Sequence, residues 1–167
     1  VFGNYILVNP NGVPLGVRKE IPLRRWYVVN GVLYAQSCAT FVRRRVWESG
    51  GGFDTSYRIL GDVDWVLRLL GKGVHFRHLP HYLSLFTLGQ ENLSRQATAR
   101  EEQERVRRRY GAYRAGWARL APRTCRWIEK LYRGCYGRHH VRYRFMKDDR
   151  RAETIEAWAG SSWRWPV

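Results

Sequence analysis

Gly51-Gly52-Phe53-Asp54, then Gly61-Asp62-Val63-Asp64-Trp65-Val66-Leu67-Arg68-Leu69, is the stretch that decides how this chain folds. Val63, Val66, Leu67 and Leu70 recur at helical spacing and form one apolar face. Gly71 and Gly73 supply stop signals, which predicts a helix from Asp62 to about Leu70. Asp62 then falls in the first turn, where the helix dipole favours a charged carboxylate. Arg68 stands four residues after Asp64, a spacing at which the two side chains pair.

Outward from this stretch, the period changes. Tyr5–Val8 reads as a strand, Asn9-Pro10-Asn11-Gly12 as a turn, and Val13-Pro14-Leu15 as a return to extended chain. Asn30-Gly31 is a second turn signal, between the strand-like runs Tyr27-Val28-Val29 and Val32-Leu33-Tyr34. Phe41–Trp47 reads as a short helix or a strand-helix junction closed by Gly50-Gly51-Gly52. Val74–Arg77 and Tyr82–Leu88 read as two strands on either side of Pro80. Beyond Arg95 the pattern is helical and basic, with Trp127-Ile128 and Leu131-Tyr132 as an apolar pair of pairs among Arg126, Lys130 and Arg133.

With 167 residues, 44% of them hydrophobic and 26% charged, the chain can bury a core, and a globular fold is expected rather than disorder. The three cysteines, Cys38, Cys125 and Cys135, are widely spaced and point to reduced thiols rather than a disulfide framework or a zinc site. No apolar run approaches the roughly 20 residues of a membrane span. The chain starts at Val1, almost directly in a strand pattern, which suggests a fragment or a processed piece. The formal charge is +16, and from Arg95 to Arg151 there are 18 Lys and Arg against 6 Asp and Glu. A field of that sign favours an anionic partner: nucleic acid, an anionic membrane face or a phosphorylated substrate.

Gln36, then Ala39-Thr40-Phe41-Val42-Arg43-Arg44, the Gly51–Asp54 loop, the Gly61–Leu69 helix, Leu79-Pro80, Leu85-Phe86 and Asn92-Leu93-Ser94 follow one another in order. As an ordered set they resemble the second half of the catalytic domain of family-two glycosyltransferases, over residues 1–95. Thr55 stands where that family commonly has Glu, and Trp65 where it commonly has Leu. Thr87-Leu88 and Gly89-Gln90-Glu91-Asn92 depart from its Arg- or His-bearing segment, and with it goes a metal role for that segment. The resemblance implies an α/β fold, the C-terminal part of a GT-A, Rossmann-like domain over 1–95, followed by a basic helical extension over 96–167.

It further implies inverting transfer of a sugar from a nucleoside-diphosphate donor to a saccharide or lipid-linked saccharide. Asp62 would be the catalytic base, taking the acceptor's hydroxyl proton. Asp64 would support it or touch acceptor, with Gln36, Gly52, Trp65 and Arg68 lining the substrate site. Mn²⁺ or Mg²⁺ would be held mainly outside this chain, as would the donor, because no second acidic pair precedes the helix. Asp62-Val63-Asp64 is itself a D-x-D run, yet its register is that of the base rather than of the metal pair. His75, His78 and His81 read as surface or packing histidines. The implied setting is cytoplasmic, peripheral on the inner face of a membrane.

Other readings stand beside these. Taken without their flanking motifs, Asp62 and Asp64 read as a helix N-cap and its solvated neighbour, and Trp65 reads as a packing residue. The basic tail, with Trp117, Trp127, Tyr132, Tyr136 and Tyr143, suits a solvated face, an amphipathic helix on anionic lipid, or nucleic acid. A non-catalytic nucleic-acid-binding protein and a glycosyltransferase remnant without activity are the rivals to the enzyme.

Overall fold

The computed structural model describes residues 1–31, 33–88, 97–112, 116, 118, 120–146 and 152–161. Its central strand, β1 (Phe2–Val8), is buried along its whole length. β2 (Pro14–Arg18) pairs with it antiparallel on one edge, and β3 (His78–Thr87) pairs with it parallel on the other. A strand flanked at both edges and covered on both faces needs a nearly continuous apolar run, which Phe2–Val8 supplies. The polar exception is Asn4, whose Oδ1 accepts the Glu20 N–H at 2.9 Å and lies 3.1 Å from His78 Nε2.

β1 is closed from both sides by distant parts of the chain. Ile6, Val8 and Val17 pack against Val141 and Ala159 of a hairpin, β4 (Gly137–Met146) with β5 (Ala152–Ser161). Tyr5 and Leu7 pack against Ala39 of a 3₁₀ turn, Ser37–Ala39. The Asn9–Gly12 turn forms as expected, with Asn9 Oδ1 accepting the N–H groups of Asn11 and Val13. The Tyr143 hydroxyl donates to the Gly12 carbonyl at 2.6 Å, which fastens the hairpin to that turn.

Five helices complete the described chain: α1 (Arg25–Asn30), α2 (Arg44–Gly50), α3 (Gly61–Gly71), α4 (Ala97–Tyr110) and α5 (Leu120–Tyr132). Val63 and Leu67 of α3 join Ile21, Val28, Val29 and Val106 in the main core. Each large aliphatic side chain buried there contributes roughly 1.5–3 kcal/mol. On the other side of α3, Trp65, Val66 and Leu69 pack with Val46, Val74 and Phe76. The helix is therefore buried around most of its girth, more than a single apolar stripe requires.

Four expectations are corrected. Tyr27-Val28-Val29 is helical, not a strand before a turn, because all three side chains reach the core there and the Tyr27 hydroxyl donates to Glu129 at 3.0 Å. Strand preference in two valines is worth under about 1 kcal/mol and yields to that packing. Leu33-Tyr34 forms no strand, and Val32 lies outside the described residues. Val74–Arg77 is not a strand either. One strand, β3, runs straight through Pro80, whose missing N–H is harmless because pairing jumps from Gly3–Leu79 to Asn4–Tyr82 and leaves Pro80 in a bulge.

The fourth correction concerns the basic extension, which is helical only in part. Beyond α5 it holds the β4–β5 hairpin. Along β4, Val141, Tyr143 and Phe145 turn inward while Arg138, Arg142 and Arg144 turn to solvent, a period of two within an arginine-rich composition. The mixed α/β class stands.

α5 is mounted with its polar side inward. Lys130 Nζ and Arg126 Nη2 both donate to Glu20 Oε2 at 3.0 Å, with Lys130 and Glu20 buried. Glu129 accepts Arg24 Nε at 3.0 Å and Arg24 Nη2 at 3.1 Å. Desolvation lowers the Lys130 pKa, and the Glu20 carboxylate opposes that shift. Removing Glu20 strands a buried ammonium, so Glu20→Ala is expected to cost roughly 3–5 kcal/mol. A urea melt of the variant checks this, and an unchanged midpoint would refute the pairing's role.

Candidate functional site

The first turn of α3 carries two carboxylates with opposite surroundings. Asp64 is fully buried and its oxygens are engaged: Arg68 Nε donates to Oδ2 at 2.8 Å and the Tyr110 hydroxyl to Oδ1 at 2.7 Å. Arg109 Nη1 adds an ion pair to Oδ1 at 3.3 Å and bridges to Asp54 Oδ2 at 3.3 Å. Asp62 is half-buried and, among the described residues, pairs with no cation. Its Oδ1 accepts the Val63 N–H at 2.8 Å. Desolvation raises its pKa above 3.8, against the pull of the backbone N–H groups of Val63 and Asp62 itself.

Arg68 ties this helix to the glycine loop. Beyond Asp64, its Nη1 donates to the Gly50 carbonyl at 2.6 Å and its Nη2 to the Gly52 carbonyl at 2.5 Å. Gly51 and Gly52 have φ of 74° and 63°, left-handed conformations that side-chain-bearing residues adopt at a cost. The loop is thus built to turn its carbonyls onto the guanidinium. Gly52, Asp64 and Arg68 are brought together, bonded to one another through the guanidinium.

Trp65 is also in this unit but packs inward. Its ring lies 5.1 Å from Trp47 and 5.9 Å from Phe53, which are the exposed members of the trio. Its Nε1–H is buried with no acceptor among the described residues. Gln36 is elsewhere: it precedes the 3₁₀ turn packed on β1 and β3, and its carbonyl accepts the Thr40 hydroxyl at 2.8 Å. No described hydrogen bond links it to α3.

Two contributors were not foreseen. Glu102 of α4 accepts the N–H groups of Arg58, Ile59 and Leu60 at 2.7, 3.0 and 2.8 Å, fixing the chain just before α3. Burial pushes its carboxyl up, and the three N–H donors outweigh that and leave its pKa below 4.5. Tyr110 of α4, the second, closes over Asp64. Neither contact has a local spacing that would betray it.

Comparison with family models, curated proteins and solved structures gives no match. The site is therefore read from its own geometry. Among the described residues no three His, Cys, Asp or Glu side chains gather to hold a metal. His78 instead stacks near Phe2, with ring centroids 5.1 Å apart. Asp64, the second carboxylate of the D-x-D run, is already saturated by Arg68 and Tyr110, so Mn²⁺ or Mg²⁺ does not fit this pair. Residues 89–96, Trp117, Trp163 and Trp165 lie outside the described residues.

The two aspartates should separate in a melting experiment. Asp64→Asn leaves Arg68 without its carboxylate and is expected to cost about 2–4 kcal/mol. Asp62→Asn should raise Tm at neutral pH. A carboxyl whose folded pKa is raised weakens the fold as pH climbs from its unfolded value through its folded one, and the amide has no such loss. The Tm gap should vanish below pH 3.8; a gap independent of pH would remove the desolvation argument.

Glu102 has the opposite sign. Its lowered folded pKa gives stability that is complete above its unfolded value near 4.5 and is lost as pH falls through the folded value. Glu102→Gln should lose that acid-sensitive component and lower stability on the order of 2–3 kcal/mol at neutral pH. Acid titrations of both forms, followed by circular dichroism, check it.

Proposed function

We propose that this chain is the acceptor-side part of an inverting glycosyltransferase, with Asp62 as its base. The observation that carries the reading is the division of labour in the first turn of α3. Asp64 is consumed by structure, while Asp62 keeps a carboxylate with a raised pKa and no described cation to quench it. In the reaction, the acceptor hydroxyl oxygen forms a bond to the anomeric carbon from the face opposite the leaving group. The bond from that carbon to the nucleoside diphosphate breaks, the diphosphate leaves with its electron pair, and the hydroxyl proton passes to Asp62.

A raised pKa makes Asp62 a stronger base than an ordinary aspartate. Arg68 and Glu102 act as positioning residues, holding the loop at Gly50 and Gly52 and the segment 58–60 on either side of it. The exposed rings of Trp47 and Phe53 beside the loop offer apolar faces suited to a pyranose. Donor recognition, and any Mn²⁺ or Mg²⁺, belong to residues outside this chain.

A second reading, a basic nucleic-acid-binding surface, draws on the outward side of the hairpin. Arg138, Arg142 and Arg144 stand there with Trp158, whose ring lies 5.4 Å from His140. Steeply salt-dependent, saturable RNA binding that survives Asp62→Asn would favour it.

In the enzyme joined to its donor-binding half, Asp62→Asn should lower kcat by roughly 10²–10⁴-fold. Donor affinity should stay unchanged, and the acid limb of kcat/KM should lie above the ordinary aspartate range. Retained turnover in the variant would remove Asp62 from the role of base.

A further inference from the structure

α5 is amphipathic in the reverse sense from a core helix. Its polar side, Arg126, Glu129 and Lys130, is locked onto Glu20, Arg24 and Tyr27. Its apolar side faces solvent, with Leu120 57%, Trp127 47%, Ile128 52%, Leu131 53% and Tyr132 91% exposed. At 100° per residue these five side chains share one flank, with Arg123 at its margin. Helices of globular proteins turn such a stripe to the core; this one cannot rotate inward without breaking the buried Glu20–Lys130 pair. A stripe held outward by its own ion pairs is a surface awaiting a partner.

We propose that this flank of α5 docks in the headgroup region of an anionic lipid bilayer. Charge and shape select the occupant. Arg126 and Lys130 are spent on Glu20, but Arg123 at the flank's margin and Arg133 and Arg138 beyond the helix end are exposed, while the one acid of the helix, Glu129, is bound by Arg24 and Arg133. The flank is a single convex helix side about 20 Å long, and neither described cleft is lined by any of its five residues. A protein partner needs complementary relief, whereas a bilayer interface accepts a plain cylinder. Trp127 and Tyr132 supply the amphipathic rings that settle at headgroup depth. Among the described residues no helix is long and apolar enough to cross a membrane, and the geometry is that of a helix lying in the surface plane.

This inference stands apart from sugar transfer, since vesicle binding involves neither donor nor Asp62. The full chain is floated with vesicles of phosphatidylglycerol and phosphatidylcholine in equal parts, and with pure phosphatidylcholine, at physiological salt. Wild type should float with the anionic vesicles at least tenfold more strongly than with the neutral ones. Ile128→Glu with Leu131→Glu should lower that binding at least tenfold at unchanged Tm, both side chains being exposed. In unmutated protein, brominated lipid should quench tryptophan emission, and Trp127→Phe should remove that quenched component. Binding unaffected by the paired substitutions, or quenching that persists in Trp127→Phe, would overturn the proposal in favour of a diffuse basic surface. Absence of binding by wild type overturns it outright, and a dimer dissolved by the same pair would assign the flank to a second copy of this chain.

Discussion

One guanidinium sets the geometry on which the site depends. Arg68 reaches from the middle of α3 to a buried carboxylate and to two carbonyls of a loop that precedes it by sixteen and eighteen residues. A lysine could offer its charge to Asp64, but not the planar fork that meets three acceptors at once. The loop pays in conformational freedom through Gly51 and Gly52, and Arg68 restores order by holding both ends of the turn. Glu102 performs the mirror task on the other approach to α3, a carboxylate gathering three backbone donors where Arg68 gathers two backbone acceptors. The first turn of the helix is fixed between these two charged clamps, which leaves Asp62 rigid without occupying it.

The same logic of charge as fastener runs through α5. Burying a charge is costly unless it is paired, so the Glu20 carboxylate and the Lys130 ammonium define one orientation of that helix and forbid others. The apolar residues are then left outside as a consequence of which side is bolted down. Specificity of mounting, rather than gain in stability, is what such a pair contributes.

What could be read beforehand divides by the distance over which each signal acts. α3, the Asn9–Gly12 turn and the Asp64–Arg68 pair are written in spacings of four residues or fewer, and they were legible. The clamp on Gly50 and Gly52 was visible only as an ordered run of motifs, without its bonds. α1 misled because Val28 and Val29 favour strands locally and are overruled by contacts with residues about a hundred positions away, such as Glu129. The hairpin was hidden by composition: a two-residue alternation is hard to see when the outward positions of β4 are mostly arginine and its neighbours are histidine and tyrosine. Glu102 and Tyr110 could not be assigned at all, because a side chain that serves a partner more than forty residues away leaves no period in its own helix.

The closure of β1 by the hairpin bears on the order in which the chain acquires structure. Ile6, Val8 and Val17 lie near the start of the chain, while the residues that cover them, Val141 and Ala159, come more than 120 residues later. Contacts of that separation form late, since the loop they close is long and its entropy must be lost before they reward it. During synthesis β1 therefore emerges with one apolar face bare until the hairpin, more than 120 residues later, arrives to cover it. Until then, that face is open to wrong partners, as exposed apolar surface in an unfinished chain always is.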